Sequence, residues 1–594
     1  MRFLVRPRLR AGMVAGLVMP AVLAVTGSPA VAAYADPGPE VPVIVQYDDA
    51  AAAAKAVARV GGVLGRRFEV AQAYPARVPA SGIGALRAAP GVRAVTPDGA
   101  VALTGKDWIS DKDDLATYAV SSATGVAQTI GAPDVWKKKD ASGRPITGTG
   151  VGVALIDSGI VPVEGLTDSS RIVNGPDLSF ESQTPDLRSL DTFGHGTHMA
   201  GIIAGRDTGV TPGTEPPTGF VGVAPGATLV NIKVAAADGS VDVSQVIAAI
   251  DWVVAHRDDP GLNIRVLNLS FGTDSMQDPR FDPLSFAVEA AWRKGIVVVV
   301  AAGNSGSGAT RLGMPAMNPY VLAVGGADQR GTLPTGDDAV GDFSSRGSSV
   351  RHADLLAPGR SIVSLRDPNS FIDTNYPTGL LPASIDPGLR FFRGTGTSQA
   401  AAVVSGAAAL LLQQRPDLTP DQVKRLLTAT ATPLKGSDAI SQGAGEINVK
   451  KAVATATPKY TQAAVPSLGT GSLEGARGAA HVVDPDTGVE LTGEQDIMGN
   501  AFDAACWSVA AGNGSAWIDG TWNGAAWTGA DWSTTTPWSG RTWSGTTWEG
   551  LTWSGRTWSG ATWDGRTWSG RTWSGTTWSG RTWSGGYWSG TTWD

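Results

Sequence analysis

Residues 151–159 read Val-Gly-Val-Ala-Leu-Ile-Asp-Ser-Gly, an unbroken apolar run that closes on an aspartate. Continuous rather than alternating hydrophobicity is typical of a strand buried on both faces, as in a parallel sheet covered by helices. Three later runs share this character: Thr228–Val234, Ile264–Ser270 and Ile296–Ala301. Helical patterns alternate with them, over Val243–Ala255, Pro283–Arg293 and Ser398–Gln414. The alternation predicts an α/β domain over 128–454, with a doubly wound parallel sheet and helices on both faces.

The N-terminus has the layout of a secretory signal peptide. Four arginines among the first ten residues precede an apolar run from Ala11 to Val25, and A-x-A cleavage sites follow at 30–32 and 33–35. The apolar run is short for a membrane span, although an uncleaved anchor is the alternative. We therefore expect residues 1–35 to be removed and the protein to be secreted, with association to a cell surface or wall left open.

Composition excludes several kinds of partner and of stabilising site. The 594 residues carry a net charge of -7 without a basic block, which argues against nucleic acid as a partner. Cys506 is the only cysteine, so neither an internal disulfide nor a thiolate metal cluster can form. Stability must come from packing or from bound ions.

A small separate domain is predicted ahead of the α/β domain. Residues 41–103 contain, in order, a strand, a helix, an extended segment, a short helix and a strand, over Val41–Tyr47, Ala50–Val60, Leu64–Val78, Ile83–Ala89 and Val92–Thr96. This order predicts a small α+β, ferredoxin-like domain of the split βαβ kind. The polar stretch within 104–127 is predicted to be an exposed linker.

The C-terminal region has a different character. Residues 455–506 are predicted to be a linker, and 507–594 a Trp-rich tail in which tryptophan recurs every five residues from Trp538 to Trp593. A period of five keeps one face neither in a strand nor in a helix. Two interpretations stay open: a repetitive short-turn β structure and a flexible, sticky tail. Exposed indoles could bind the sugars of a cell wall, a protein partner or other copies of the tail.

Four polar residues stand at places suited to chemistry. Asp157 closes a buried strand, His195 lies in Gly-His-Gly-Thr-His-Met-Ala-Gly over 194–201, and Ser398 follows Gly-Thr-Gly-Thr and opens an apolar helix. Asn304 follows another buried strand within Ala-Ala-Gly-Asn-Ser-Gly over 301–306. Each has a plain structural alternative, such as a packed histidine, a helix N-cap serine or an exposed turn asparagine.

The order Asp, His, Ser with these local sequences resembles the subtilisin family of serine proteases, over about Gln128–Ala454. The resemblance implies a triad in which Asp157 orients His195, His195 is the general base and Ser398 is the nucleophile. It also implies that Asn304 is an oxyanion donor. The remaining residues implied to bind substrate are Leu269, Ser270, Phe271, Gly272, Ala302 and Gly303. The sequence departs from the family pattern at Phe271, where the family often has Leu, and at Gln399, where it usually has Met.

The same resemblance implies a precursor. Residues 41–103 resemble the family's inhibitory propeptide, and we expect self-cleavage between Gly99 and Gly125, with 104–127 as the start of the mature chain. No cofactor is expected for the chemistry, and structural calcium is frequent in the family, but no ligand set is assigned. A zinc site on His195 and His198 is disfavoured because no H-E-x-x-H motif accompanies them.

The predicted function is therefore a secreted serine endopeptidase acting on proteins or peptides. The alternative is a catalytically inactive subtilisin fold that serves as a binding or wall-adhesion protein.

Overall fold

A computed structural model describes the chain over 40–64, 73–97, 101–103, 120–179, 181–182, 187–212, 219–479, 481–482 and 490–526, and as short strands between 542 and 593. The predicted signal peptide and most of the predicted cleavage range lie outside these residues. Within the described ranges, no helix combines the length and the hydrophobicity that crossing a membrane requires.

Residues 40–97 form a small α+β domain with its own core, called here the N-terminal domain. An antiparallel sheet in the order β2-β3-β1-β4 packs against two helices. Val43 and Val45, at alternate positions of β1, are buried in one core with Ala53 and Val57 of α1. Asp49 is the N-cap residue of α1. The structure has the predicted strands and helices, except that residues 65–72 of the predicted extended segment lie outside the described residues. The elements are β1 (Glu40–Tyr47), α1 (Ala50–Arg59), β2 (Val63–Leu64), β3 (Ala73–Pro79), α2 (Ile83–Arg87) and β4 (Val92–Pro97). A short strand, β5 (Val101–Leu103), follows.

The central sheet has the strand order β13-β12-β11-β9-β6-β8-β7, with β14 also paired to β12. Every pairing is parallel except that of β12 with β13, which confirms the predicted mostly parallel sheet. All residues of β6 and β11 are buried, as their continuous hydrophobicity predicted. The strands are β6 (Gly152–Asp157), β7 (Ile172–Asp177), β8 (Thr228–Lys233), β9 (Ile264–Leu269), β11 (Val297–Ala301), β12 (Leu322–Asp328), β13 (Ala339–Val340) and β14 (Leu355–Pro358). Outside this sheet, β10 (Phe271–Thr273) pairs with β5, and β15 (Ile362–Leu365) with β16 (Phe391–Gly394).

Helices pack against this sheet in two groups. One group pairs α9 with α5 and the other pairs α6 with α7, and both α9 and α6 contact β6. The three helices predicted for the α/β domain begin within one residue of their expected positions. The helices are α3 (Ala123–Thr129), α4 (Ala132–Trp136), α5 (His195–Ala204), α6 (Val243–Ala255), α7 (Pro283–Arg293), α8 (Phe371–Asn375), α9 (Thr397–Gln414), α10 (Pro420–Thr430), α11 (Ala439–Gln442) and α12 (Val449–Ala454).

Residues 459–526, called here the C-terminal extension, pack on α6 and α7. This differs from the predicted linker over 455–506 and from a tail beginning at 507. Trp507 and Trp522 belong to the main hydrophobic core, and both donate their indole N–H to Asp251 Oδ2, at 2.7 and 2.8 Å. The linker prediction was wrong because the extension is Gly-rich, and because the partners that bury residues such as Trp507 and Trp522 lie far away in the sequence. Its helices are α13 (Leu473–Arg477) and α14 (Ala504–Asn513), and its strands β17 (Trp517–Ile518), β18 (Thr521–Trp522) and β19 (Ala525–Ala526).

Two buried charged groups lie in this interface. Arg477 is fully buried, and its Nε lies 2.6 Å from Oδ2 of Asp242, the N-cap residue of α6. Burial raises the pKa of Asp251 to about 7, although the two indole hydrogen bonds act to lower it. Removing one partner of a buried ion pair costs about 3 to 5 kcal/mol, so Arg477 ties the extension firmly to the α/β domain.

The Trp repeats over 542–593 form short strands that pair in parallel with the strand fifteen residues later. Trp543, for example, is in register with Trp558, and Trp558 with Trp573. The strands form three sheets, of four, four and three strands. Each described strand lies within one five-residue unit, and it pairs with a strand three units away. Of the two open interpretations, these strands agree with the repetitive β structure, which stays a prediction for the tail as a whole.

Candidate active site

Asp157 lies at the carboxyl end of β6, the position where open α/β sheets place their ligand crevice. Its side chain is buried, and Oδ1 accepts hydrogen bonds from the backbone N–H and the hydroxyl of Ser158, at 2.8 and 3.2 Å. These donors fix the orientation of the carboxylate.

His195 is the first residue of α5, and its Nδ1 lies 2.8 and 3.0 Å from the two carboxylate oxygens of Asp157. Since a carboxylate accepts, Nδ1 must donate, which leaves Nε2 as the nitrogen that can take a proton. The start of the helix is held by Asp191, whose carboxylate accepts from the backbone N–H groups of Phe193, Gly194 and Thr197. The imidazole is therefore buried and oriented by Asp157.

Ser398 is the second residue of α9, so its backbone N–H is among the first four of the helix, which have no intrahelical acceptor. The helix dipole favours negative charge at this end. The backbone carbonyl of Ser398 accepts a hydrogen bond from the hydroxyl of Ser270, at 3.2 Å. This contact ties the nucleophile candidate to the turn between β9 and β10.

Asn304 follows β11, and its Oδ1 accepts from the backbone N–H and the hydroxyl of Thr397, at 2.9 and 3.1 Å. The backbone N–H can only donate, so the amide oxygen must face Thr397 and the amide nitrogen must face away from it. Nδ2 is buried and has no hydrogen-bond partner among the described residues. A buried, oriented donor without an acceptor is the feature expected of an oxyanion site.

The predicted substrate-binding residues lie at the end of β9, on β10 and directly after β11. Leu269 ends β9, Phe271 and Gly272 lie on β10, and Ala302 and Gly303 follow β11. The β5 strand pairs antiparallel with β10, with Leu103 opposite Phe271 and Ala102 opposite Gly272. The Phe271 side chain is buried in the main core. The β10 strand thus pairs with the segment that follows the N-terminal domain.

The candidate residues are gathered because β6, β9 and β11 are neighbouring parallel strands whose carboxyl ends share one edge, and because α5 and α9 pack together. Sequence reasoning missed the supporting roles of Thr397, Asp191 and Ser158. Ser158 and Thr397 lie within the quoted stretches and Asp191 three residues before one, but their hydrogen-bond partners could not be read from the sequence.

His198 and Gln399 lie near the candidate catalytic residues in the sequence and have different surroundings. His198 Nε2 lies 3.1 Å from the carbonyl oxygen of Phe392, and burial together with nearby His195 lowers the pKa of His198 to about 3, so it stays neutral. Gln399 is fully buried, and its amide has no hydrogen-bond partner in the part of the chain described. The described residues contain no group of three His, Cys, Asp or Glu side chains suited to a metal ion.

Comparisons with known proteins identify a family and several similar sequences. The model of the Subtilase family matches residues 148–456, which excludes the N-terminal domain and the C-terminal extension. Serine protease AprX of Bacillus subtilis (strain 168) is 39% identical over 318 residues, covering 52% of this chain and 68% of that protein. Subtilisin DY of Bacillus licheniformis is 34% identical over 330 residues, covering 55% of this chain and 99% of that protein. The crystal structure of fervidolysin from Fervidobacterium pennivorans aligns with a TM-score of 0.46 at 24% identity, covering 71% of this chain and 62% of fervidolysin.

Proposed function

Since this chain belongs to the subtilase family of serine endopeptidases, we propose that it hydrolyses peptide bonds through an acyl-enzyme formed on Ser398. One observation carries the proposal. Asn304, whose oxygen is held by Thr397, presents a buried and unpartnered Nδ2 beside the start of the helix that carries Ser398. The donor lies where an oxyanion formed at Ser398 would need it, and a buried amide left unsatisfied costs about 1 to 3 kcal/mol until such an acceptor binds.

In the proposed mechanism, His195 Nε2 takes the proton of the Ser398 hydroxyl as Oγ attacks the peptide carbonyl carbon. Asp157 holds the imidazole in the required tautomer and stabilises its positive charge. The carbonyl oxygen becomes an oxyanion, which accepts hydrogen bonds from Asn304 Nδ2 and the backbone N–H of Ser398. His195 then protonates the leaving amine, and water hydrolyses the remaining ester with His195 again as the base.

Covalent labelling tests this function. A sulfonyl fluoride should form one adduct per chain, on the peptide that contains Ser398, and casein hydrolysis should fall in step with labelling, because only an activated serine reacts readily. A His195→Ala variant is the matched control and should remain unlabelled. Intact mass, peptide mapping and casein assays supply the measurements. Full casein hydrolysis by a completely labelled enzyme would refute Ser398 as the nucleophile.

We also propose that residues 41–103 are an inhibitory propeptide removed by the enzyme itself. Three features support this: the N-terminal domain has its own core, the family model excludes it, and β5 occupies the edge of β10. A strand in that place would exclude a substrate from the same hydrogen-bonding groups.

The register of β5 on β10 suggests the bond that is cut. Leu103 is opposite Phe271, so an extension by one residue would bring Thr104 opposite Ser270. Ser270 contacts the carbonyl of Ser398, so the residue opposite Ser270 would lie beside the nucleophile. We therefore propose self-cleavage between Thr104 and Gly105, within the range expected from the sequence.

Secretion and wall retention complete the proposal. The sequence of residues 1–35 supports export, and the Trp repeats over 542–593 support binding, since their parallel coils repeat the same residue type in register over several layers. Indole rings bind sugar rings through apolar contact, so a cell-wall polysaccharide is the partner we propose.

A truncated chain tests the tail. Full-length Ser398→Ala protein should be retained on purified cell walls, whereas the same variant ending at residue 526 should pass into the supernatant. The shorter chain keeps Trp507 and Trp522, which pack on the α/β domain, so its folding should be preserved. The bound fraction is measured by sedimentation. Equal retention of both chains would rule out the repeats as the wall-binding element.

A further inference from the structure

We propose that the C-terminal extension positions the substrate-binding strand β10, and that Gln277 is the positioning residue through which it acts. The proposal rests on the proposed function, which assigns substrate pairing to β10. The loop over 274–282 connects β10 to α7, and the extension contacts this loop along most of its length. The family model ends at residue 456, so the extension is an addition to the common fold.

Gln277 makes the central contact. Its Nε2 donates to the backbone carbonyl of Ser472 at 2.7 Å, and the backbone N–H of Ser472 donates to its Oε1 at 2.9 Å. The side chain is only 3% exposed, so water does not replace these bonds readily. Further hydrogen bonds join the extension to the loop: Leu468 N–H to the Arg280 carbonyl, Gly471 N–H to the Phe281 carbonyl, Ser467 Oγ to the Pro279 and Arg280 carbonyls, and Ala479 N–H to Asp274 Oδ1.

The loop in turn holds the end of β10. The backbone N–H of Ser275 donates to Thr273 Oγ1 at 3.2 Å, and Thr273 exchanges two backbone hydrogen bonds of 2.7 Å with Met314. Arg311 Nη2 donates to the backbone carbonyl of Gln277 at 2.8 Å. Gln277 is therefore bound on one side by the extension and on the other by the segment that follows the oxyanion residue Asn304.

The energetic consequence concerns extended substrates. A peptide that adds as a strand gains affinity from main-chain hydrogen bonds, and this gain requires the receiving edge to be held in place before binding. A small ester needs only Ser398, His195 and the oxyanion donors, because it is too short to pair with β10. Loosening the loop should therefore weaken binding of a long peptide while the chemistry at Ser398 is unchanged.

The test compares Gln277→Ala with Gln462→Ala in the full-length processed enzyme. Gln462 also joins the extension to the α/β domain by two side-chain hydrogen bonds, to Tyr320 and Asp421, but does not contact the loop. The first substrate is a peptide amide with four residues before the scissile bond. For it, Gln277→Ala should raise KM about tenfold, which is the effect of losing about one net hydrogen bond. Its kcat should stay within about twofold of the wild-type kcat. A single-residue ester should be hydrolysed at the wild-type rate per labelled site, and Gln462→Ala should match wild type on both substrates.

Active sites are counted by labelling with the sulfonyl fluoride, and each rate is divided by that count. A partly unfolded variant then shows lower ester and peptide rates per chain, but unchanged rates per labelled site. If Gln277→Ala does not fold, Asp274→Ala removes an exposed contact of the same loop and should raise the peptide KM about threefold. Equal losses per site on the ester and the peptide, or no loss on either, would overturn the positioning role. Absence of labelling in wild type would instead overturn the proposed function.

Discussion

Ser398→Ala should abolish casein hydrolysis, with kcat falling by about 10⁶, a magnitude borrowed from the same change in subtilisin rather than derived from this chain. The alanine has no oxygen to attack the carbonyl carbon, so no acyl-enzyme can form. The residual rate would come from the oxyanion donors and from substrate binding alone. Casein hydrolysis and intact mass on the purified variant are the two measurements.

The intact mass adds a second readout. Wild type should release a fragment ending at Thr104 and leave a chain beginning at Gly105, whereas Ser398→Ala should keep the two joined. Ser405→Ala is the matched control, because Ser405 is buried on the same helix and its hydroxyl donates to Asn268 Oδ1. It should retain both activities. A purified Ser398→Ala chain that is still cut after Thr104 would show that another enzyme makes this cut.

Asn304→Ala should lower kcat by about 10² to 10³ and leave KM nearly unchanged, the range known for this donor in subtilisin and so again borrowed. The reason is that Nδ2 stabilises charge that exists only in the transition state. Asn304→Asp is the sharper variant, since an aspartate oxygen can still accept from Thr397 while the donor is replaced by a second acceptor. It should lose at least as much activity.

Steady-state kinetics on a peptide substrate separate the two constants. Asn375→Ala, an exposed change on α8, serves as the control and should match wild type. A raised KM with unchanged kcat would move Asn304 from transition-state stabilisation to ground-state binding. Activity unchanged in both Asn304 variants would remove it from the mechanism.

The parts of the fold that the sequence predicted share a physical cause. Strands such as β6 and β11 are buried on both faces, and helix α6 has ten buried residues. The burial of each element can therefore be predicted from the apolar pattern of its own residues. Strand β7 was missed because it is only partly buried and partly polar, and β12 because two glycines interrupt it. Prediction from the local apolar pattern fails where a strand contains few large apolar side chains.

The C-terminal extension was predicted wrongly for a related reason. Its stability comes from contacts such as Arg477 with Asp242 and Trp507 with Asp251, whose partners are more than 200 residues apart in the chain. No window of sequence contains both partners. The five-residue tryptophan period was visible in the sequence, but the pairing of strands fifteen residues apart became evident only from the structure.

By itself, the sequence determined the order of Asp157, His195 and Ser398, the buried strands that bring such residues to one edge, and the repeat of the tail, because these are properties of short, continuous segments. Only the tertiary structure decided that Thr397 orients the Asn304 amide, that Asp191 holds the start of the helix carrying His195 and that the extension holds the loop after β10. These depend on the direction of a hydrogen bond between distant residues, and direction is set by packing in three dimensions, not by the identity of neighbours along the chain.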